Sequence, residues 1–175
     1  QKICSLTLEA KVLSVLENNK ITNKKNKKKM SNVKNKNERR LEIYVVHGDE
    51  KQSSGDGLSP RGIQDTQKLS EKIKLYLNPK DVVQVLTSNL SRSRETAEII
   101  ALKLLKQKNY SVSSELNEYE NIQVVQNVVD GIEDSIILVS QKPVINNYLK
   151  SIGYKGSSLG CGQGIMKKND IFTRI

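Results

Sequence analysis

The chain has one histidine, His47, standing directly after the apolar, β-branched run Leu41–Val46. An imidazole at the end of a buried strand can serve as nucleophile, proton carrier or structural hydrogen-bonder. Ser88 and Gln141 each follow a similar run, Val82–Leu86 and Ser135–Val139. Arg92 falls in the first turn of a segment with helical spacing. A cation is badly placed at a helix N-terminus unless an anion sits there, so Arg92 points to an anionic ligand; the alternative is an exposed helix-start arginine. The two cysteines, Cys4 and Cys161, lie at opposite ends of the chain and belong to no Cys-x-x-Cys pair. With a single histidine beside them, neither a zinc site nor any other metal or cofactor is expected, and a reduced intracellular setting is the default.

The elements that would hold these residues alternate between strand and helix from Leu41 onward. Leu41–Val46 reads as a buried strand ending at His47-Gly48, followed by a loop with Gly55 and Gly57. Ser59-Pro60 gives an N-cap and a proline at the first helical position of a helix reaching Leu77, stopped by Asn78-Pro79. Val82–Leu86 is a second strand, and Ser91 is expected to cap a helix carrying Ala97, Ile100, Ala101, Leu104 and Leu105. Tyr110–Ser113 is a weak strand, and Ile122, Val125, Val128 and Val129 mark a short helix closed by Gly131. Ser135–Val139 is the clearest strand, and Pro143 opens a helix ended by Gly153. Gly160, Gly162 and Gly164 lack the Lys-Ser/Thr of a P-loop and read as a turn before a last edge strand, Ile171–Ile175. The pattern predicts a three-layer α/β/α fold with a mainly parallel sheet and helices on both faces. Ligands of such sheets bind beyond the carboxyl ends of the strands, where His47, Ser88 and Gln141 all fall.

Four motifs occur in order: VVHGD at Val45–Asp49, LSPRG at Leu58–Gly62, SNLSRSRETAEII at Ser88–Ile100 and VSQKP at Val139–Pro143. Together they resemble the histidine phosphatase superfamily, also called the phosphoglycerate-mutase-like fold, and most of all its short phosphohistidine phosphatases. The resemblance implies that His47 is a nucleophile that becomes phosphohistidine, and that Arg92, Gly48, Ser88 and Gln141 line the phosphate site. Glu118 falls near the place where some branches carry a general acid, although a solvated loop carboxylate is the alternative. Two departures stand out: Val46 occupies the position of the family's Arg-His-Gly arginine, and Gln141 that of its second histidine. Ser140 replaces the glycine before it. Removing one preorganised donor costs ~2.7–4 kcal/mol of transition-state stabilisation. A displaced cation could offset the lost arginine, with Lys142, Arg61, Arg94 and Arg40 as candidates.

Two functional expectations follow. One is an impaired phosphatase acting on phosphomonoesters or phosphohistidine; the other is a catalytically inactive relative that binds a phosphorylated ligand or serves as a scaffold. The net charge of +10 does not extend through the body: residues 1–42 hold 12 Lys and Arg against 4 Asp and Glu, and residues 43–175 hold 17 against 15. Body-wide nucleic-acid binding therefore loses most of its support. Residues 1–40 are expected as a basic, disordered or non-native segment, with Met30 able to open a reading frame, and 41–175 as the domain. The run Lys24–Lys29 could grip RNA, anionic lipid or an acidic partner, or be a solvated tail. No run approaches the ~18 apolar residues of a membrane span. A cytoplasmic location is expected, with mitochondrial targeting by the N-terminal segment as the weaker reading.

Overall fold

The computed structural model describes residues 40–50, 57–78, 81–117 and 121–175. The lysine run Lys24–Lys29, Pro79 and Glu118 lie outside the described residues, as does Gly55.

Six strands form one mixed sheet: β1 (Glu42–Val46), β2 (Val83–Thr87), β3 (Ser111–Val112), β4 (Ser135–Ser140), β5 (Gly164–Lys168) and β6 (Ile171–Arg174), in the order β3-β2-β4-β1-β5-β6. The pairings β1/β4, β2/β4 and β2/β3 are parallel, whereas β5 joins β1 and β6 joins β5 antiparallel. The helices are α1 (Pro60–Lys74), α2 (Ser91–Leu105), α3 (Ile122–Asp130) and α4 (Lys142–Ser151), with a short 3-10 turn at Ser114–Leu116.

The central strands read as continuous apolar runs because both faces are covered. Ile43 and Val45 of β1, with Ile137 and Val139 of β4, pack under Leu69 and Ile73 of α1 and Ala97, Ile100 and Ala101 of α2. Tyr44 and Val46, with Ile136 and Leu138, pack against Val125 and Val129 of α3 and Ile145, Tyr148 and Leu149 of α4. The period-two alternation of side chains thus builds two cores on one sheet. Each fully buried Ile or Leu contributes roughly 1.5–3 kcal/mol.

Local signals explain most boundaries. The Ser59 hydroxyl accepts from the Gly62 N–H at 2.9 Å and Pro60 opens α1, as the residue types dictate. That helix ends at Lys74, three residues before the expected Leu77. The N-cap of α2 is Leu90, not Ser91, and no side chain caps it. The sequence pattern also passes over β5, the one central-sheet addition that runs antiparallel. Its hairpin to β6 turns on Asn169 and Asp170, at φ 50° and 60°. A two-residue turn with both residues left-handed matches strand twist, and Asn-Asp was its signal.

Candidate functional site

His47 is placed by three backbone contacts where β1 meets its neighbours. Its N–H donates to the Ser140 carbonyl at 3.0 Å, and its own carbonyl accepts from the Gly162 N–H at 2.9 Å. The Val46 N–H one residue earlier donates to the Gln163 carbonyl at 3.0 Å. Gly162 has φ +68°, so the glycine-rich turn reaches His47 through a backbone conformation suited to glycine. Asn146 of α4 holds that turn from behind: its amide donates to the Leu159 carbonyl at 3.0 Å and accepts from the Leu159 N–H at 2.7 Å.

The imidazole's protonation state follows from its partners. Arg92 Nε can only donate, and it lies 3.1 Å from His47 Nε2. Nε2 is therefore the acceptor, and Nδ1 carries the proton, donated to the Gly48 carbonyl at 2.7 Å. Burial pushes the His47 pKa below the ordinary histidine range and Arg92 adds to this, while the Gly48 carbonyl opposes it. A neutral ring with its lone pair on Nε2, facing a guanidinium, is the form a nucleophile needs.

Helix α2 positions this arrangement with one face. Arg92, Glu95 and Thr96 stand at i, i+3 and i+4, so their side chains share a side of the helix. Arg92 meets His47; Glu95 Oε2 accepts the Leu58 N–H at 2.8 Å; Thr96 Oγ1 accepts the Gly48 N–H at 3.0 Å. The Gly48 N–H is thus committed to Thr96, which makes Gly48 a residue that orients the imidazole through its carbonyl. Crowding explains both glycines here. A Cβ on Gly48 would lie 2.8 Å from the Gly62 carbonyl oxygen and from Thr66 Oγ1, and one on Gly62 would lie 2.2 Å from the Asp49 carbonyl oxygen.

Gln141 and Ser88 are brought together at the ends of β4 and β2. Gln141 Nε2 donates to Ser88 Oγ at 2.7 Å, and Ser140 Oγ shares its proton between Gln141 Oε1 (2.9 Å) and the Leu116 carbonyl (2.6 Å). All three side chains are buried. Val46 is wholly buried in the α3/α4 core. Of the candidate replacement cations, Arg40 sits at the opposite end of β1, donating to the Val129 carbonyl at 2.7 Å and pairing with Glu42. Arg61 is exposed and pairs with Asp65 at 3.5 Å. Arg94 is exposed. Lys142 is exposed at the start of α4 and acts on the Cys161 thiol at the rim.

One residue that sequence reasoning missed is Glu50. Its carboxylate pairs with Arg92 Nη1 at 3.1 Å, on the guanidinium that also holds His47. Glu95 and Thr96 were missed too, although their spacing from Arg92 was a usable signal.

Residues 44–132 match the histidine phosphatase superfamily (branch 1). The chain belongs to that superfamily. Solved structures agree in fold. The protein histidine phosphatase SixA complexed with tungstate is 16% identical, with TM-score 0.63 over 77% of this chain and 94% of its own. A phosphohistidine phosphatase SixA from Agrobacterium tumefaciens is 12% identical, with TM-score 0.62 over 78% of this chain and 95% of its own. A phosphoserine phosphatase mutant from Entamoeba histolytica, in complex with phosphoserine, is 15% identical, with TM-score 0.56 over 77% and 94%. No curated protein matches the sequence. Membership of the superfamily supports a phosphatase-like function, and among the described residues no helix is long and apolar enough to cross a membrane.

Proposed function

We propose that this protein is a low-turnover phosphatase acting on phosphomonoesters or phosphohistidine, with His47 as nucleophile and Arg92 as phosphate clamp. The observation that carries the reading is the 3.1 Å contact between Arg92 Nε and the unprotonated Nε2 of a buried His47. An entering phosphoryl group takes the guanidinium from the imidazole, freeing the Nε2 lone pair. The Nε2–P bond then forms as the P–O or P–N bond breaks, and the leaving group departs with the bonding pair and takes a proton from solvent. Water attacks the phosphohistidine, phosphate leaves and Nε2 recovers its lone pair. Arg92 neutralises the equatorial oxygens throughout.

Turnover is low because Val46 offers no charge and Gln141 neither charge nor a titratable proton. Arg92 is left to carry most of the charge stabilisation. The structural relatives act on phosphorylated protein or phosphoserine by their names, which fits a phosphorylated small molecule or phosphoprotein as substrate. In this reading residues 41–175 are the phosphatase-like domain and residues 1–40 a basic appendage. Hydrolysis of an aryl phosphate and of a phosphohistidine protein tests it. His47→Ala should remove the activity, and equal rates in both proteins would sink the proposal.

A second reading is a binding protein without turnover. It is favoured by Gln141, whose amide is tied to Ser88 and Ser140 instead of facing an open acceptor. Phosphate binding that depends on Arg92, with no hydrolysis, is its signature.

A further inference from the structure

The mouth of this site carries more negative charge than a phosphate pocket should. Glu50 already occupies Arg92 Nη1 at 3.1 Å, and its neighbour Asp49 is exposed, held through Oδ2 by the Ser59 hydroxyl at 3.2 Å. Both carboxylates favour the protonated forms of the His47 imidazole and the Cys161 thiol, and Lys142 opposes them at the thiol. A phosphoryl dianion that enters must take Arg92 from Glu50. That carboxylate then loses its Arg92 partner and stands near Asp49 and the incoming dianion, while Val46 and Gln141 supply no cation. A simple phosphate ester offsets this less well than a ligand with its own positive charge.

We propose that Glu50 makes the site selective for phosphorylated ligands that carry an ammonium or guanidinium group a few bonds from phosphorus. The phosphoryl group replaces Glu50 on Arg92, and the ligand's cation replaces Arg92 on Glu50. The ion pair of the free protein is exchanged for two across the ligand, and Asp49 adds to the attraction. This rests on the phosphate-site reading of His47 and Arg92.

The test measures binding, so a protein without turnover still reports. Titrations of the full chain compare O-phosphoethanolamine with ethyl phosphate, and a phosphoserine peptide flanked by lysine with one flanked by alanine. The first pair reads a small-molecule source of the cation and the second a protein source. Wild type should prefer the cationic member of at least one pair by about two- to fivefold, the range of a partly exposed ion pair. Glu50→Gln should erase that preference and tighten ethyl phosphate, and Glu50→Lys should go further in the same direction. Glu50 is 55% exposed on its side chain, so both variants should fold. Arg92-dependent binding with equal affinities in wild type and Glu50→Gln overturns this inference and leaves the phosphate site standing. No binding of any ligand by wild type or either variant overturns both.

Discussion

At the scale of residues, His47 is held neutral by burial, and this has two consequences. Its folded pKa lies below its unfolded one, so the unfolded chain takes up the proton first. Stability is therefore whole above pH ~6.5 and falls as the pH drops from there through the lowered folded value. Urea midpoints at pH ~7.5 and ~5 should show a smaller acid-side loss in His47→Gln than in wild type; identical losses would contradict the assignment. Hydrolysis should likewise persist below pH ~6.5, and an acid limb that begins above that value would count against His47 as the titrating nucleophile. Gln141 is the second residue to test. Gln141→His restores a ring nitrogen where the superfamily carries one and should raise turnover about ten- to a hundredfold, short of the full ~10²–10³ because Val46 remains. An unchanged rate would mean that the Ser88 and Ser140 contacts hold position 141 away from the phosphoryl group. His47 and Arg92 were legible in the sequence because each stands at an element boundary. Glu50 was not, since its partner lies 42 residues away and nothing local signals the pair.

At the scale of elements, α2 is the organiser. Thr96 satisfies the buried Gly48 N–H, so Thr96→Val should cost about 1–3 kcal/mol and lower His47-dependent activity together with stability. The conservative Thr96→Ser keeps the hydroxyl and should recover most of both. Gly62→Ala should be worse tolerated than a typical helical substitution. In place of the usual small gain over glycine, it drives a methyl into the Asp49 carbonyl, costing roughly 1–3 kcal/mol in a denaturation midpoint measurement. Most helices were readable from apolar spacing and from Ser59-Pro60. The start of α2 was not, because a serine at Ser91 looks like a cap although Ser91 is already the first helical residue, preceded by an extended Leu90 with no side-chain cap.

At the scale of the whole molecule, the site depends on segments far apart in sequence. Ser140 of β4, Gly162 of the glycine-rich turn and Arg92 of α2 all meet His47. Asn146→Ala removes both bonds to Leu159 and should cost about 1–3 kcal/mol, with the loss of order read as faster amide exchange at Gly160–Gln163. Equal exchange there in mutant and wild type would show that the turn holds itself. The sequence alone determined the alternation of strands and helices and marked the histidine and arginine that the fold brings into contact. Those depend on residue type and on spacing within one segment. Tertiary structure decided the rest: the insertion of β4 between β1 and β2, the antiparallel β5, the Nδ1 proton facing Gly48, and the Glu50 carboxylate on Arg92. Each of these is a contact between distant segments. Local periodicity cannot specify such contacts, because pairing partners are chosen only when whole faces are buried together.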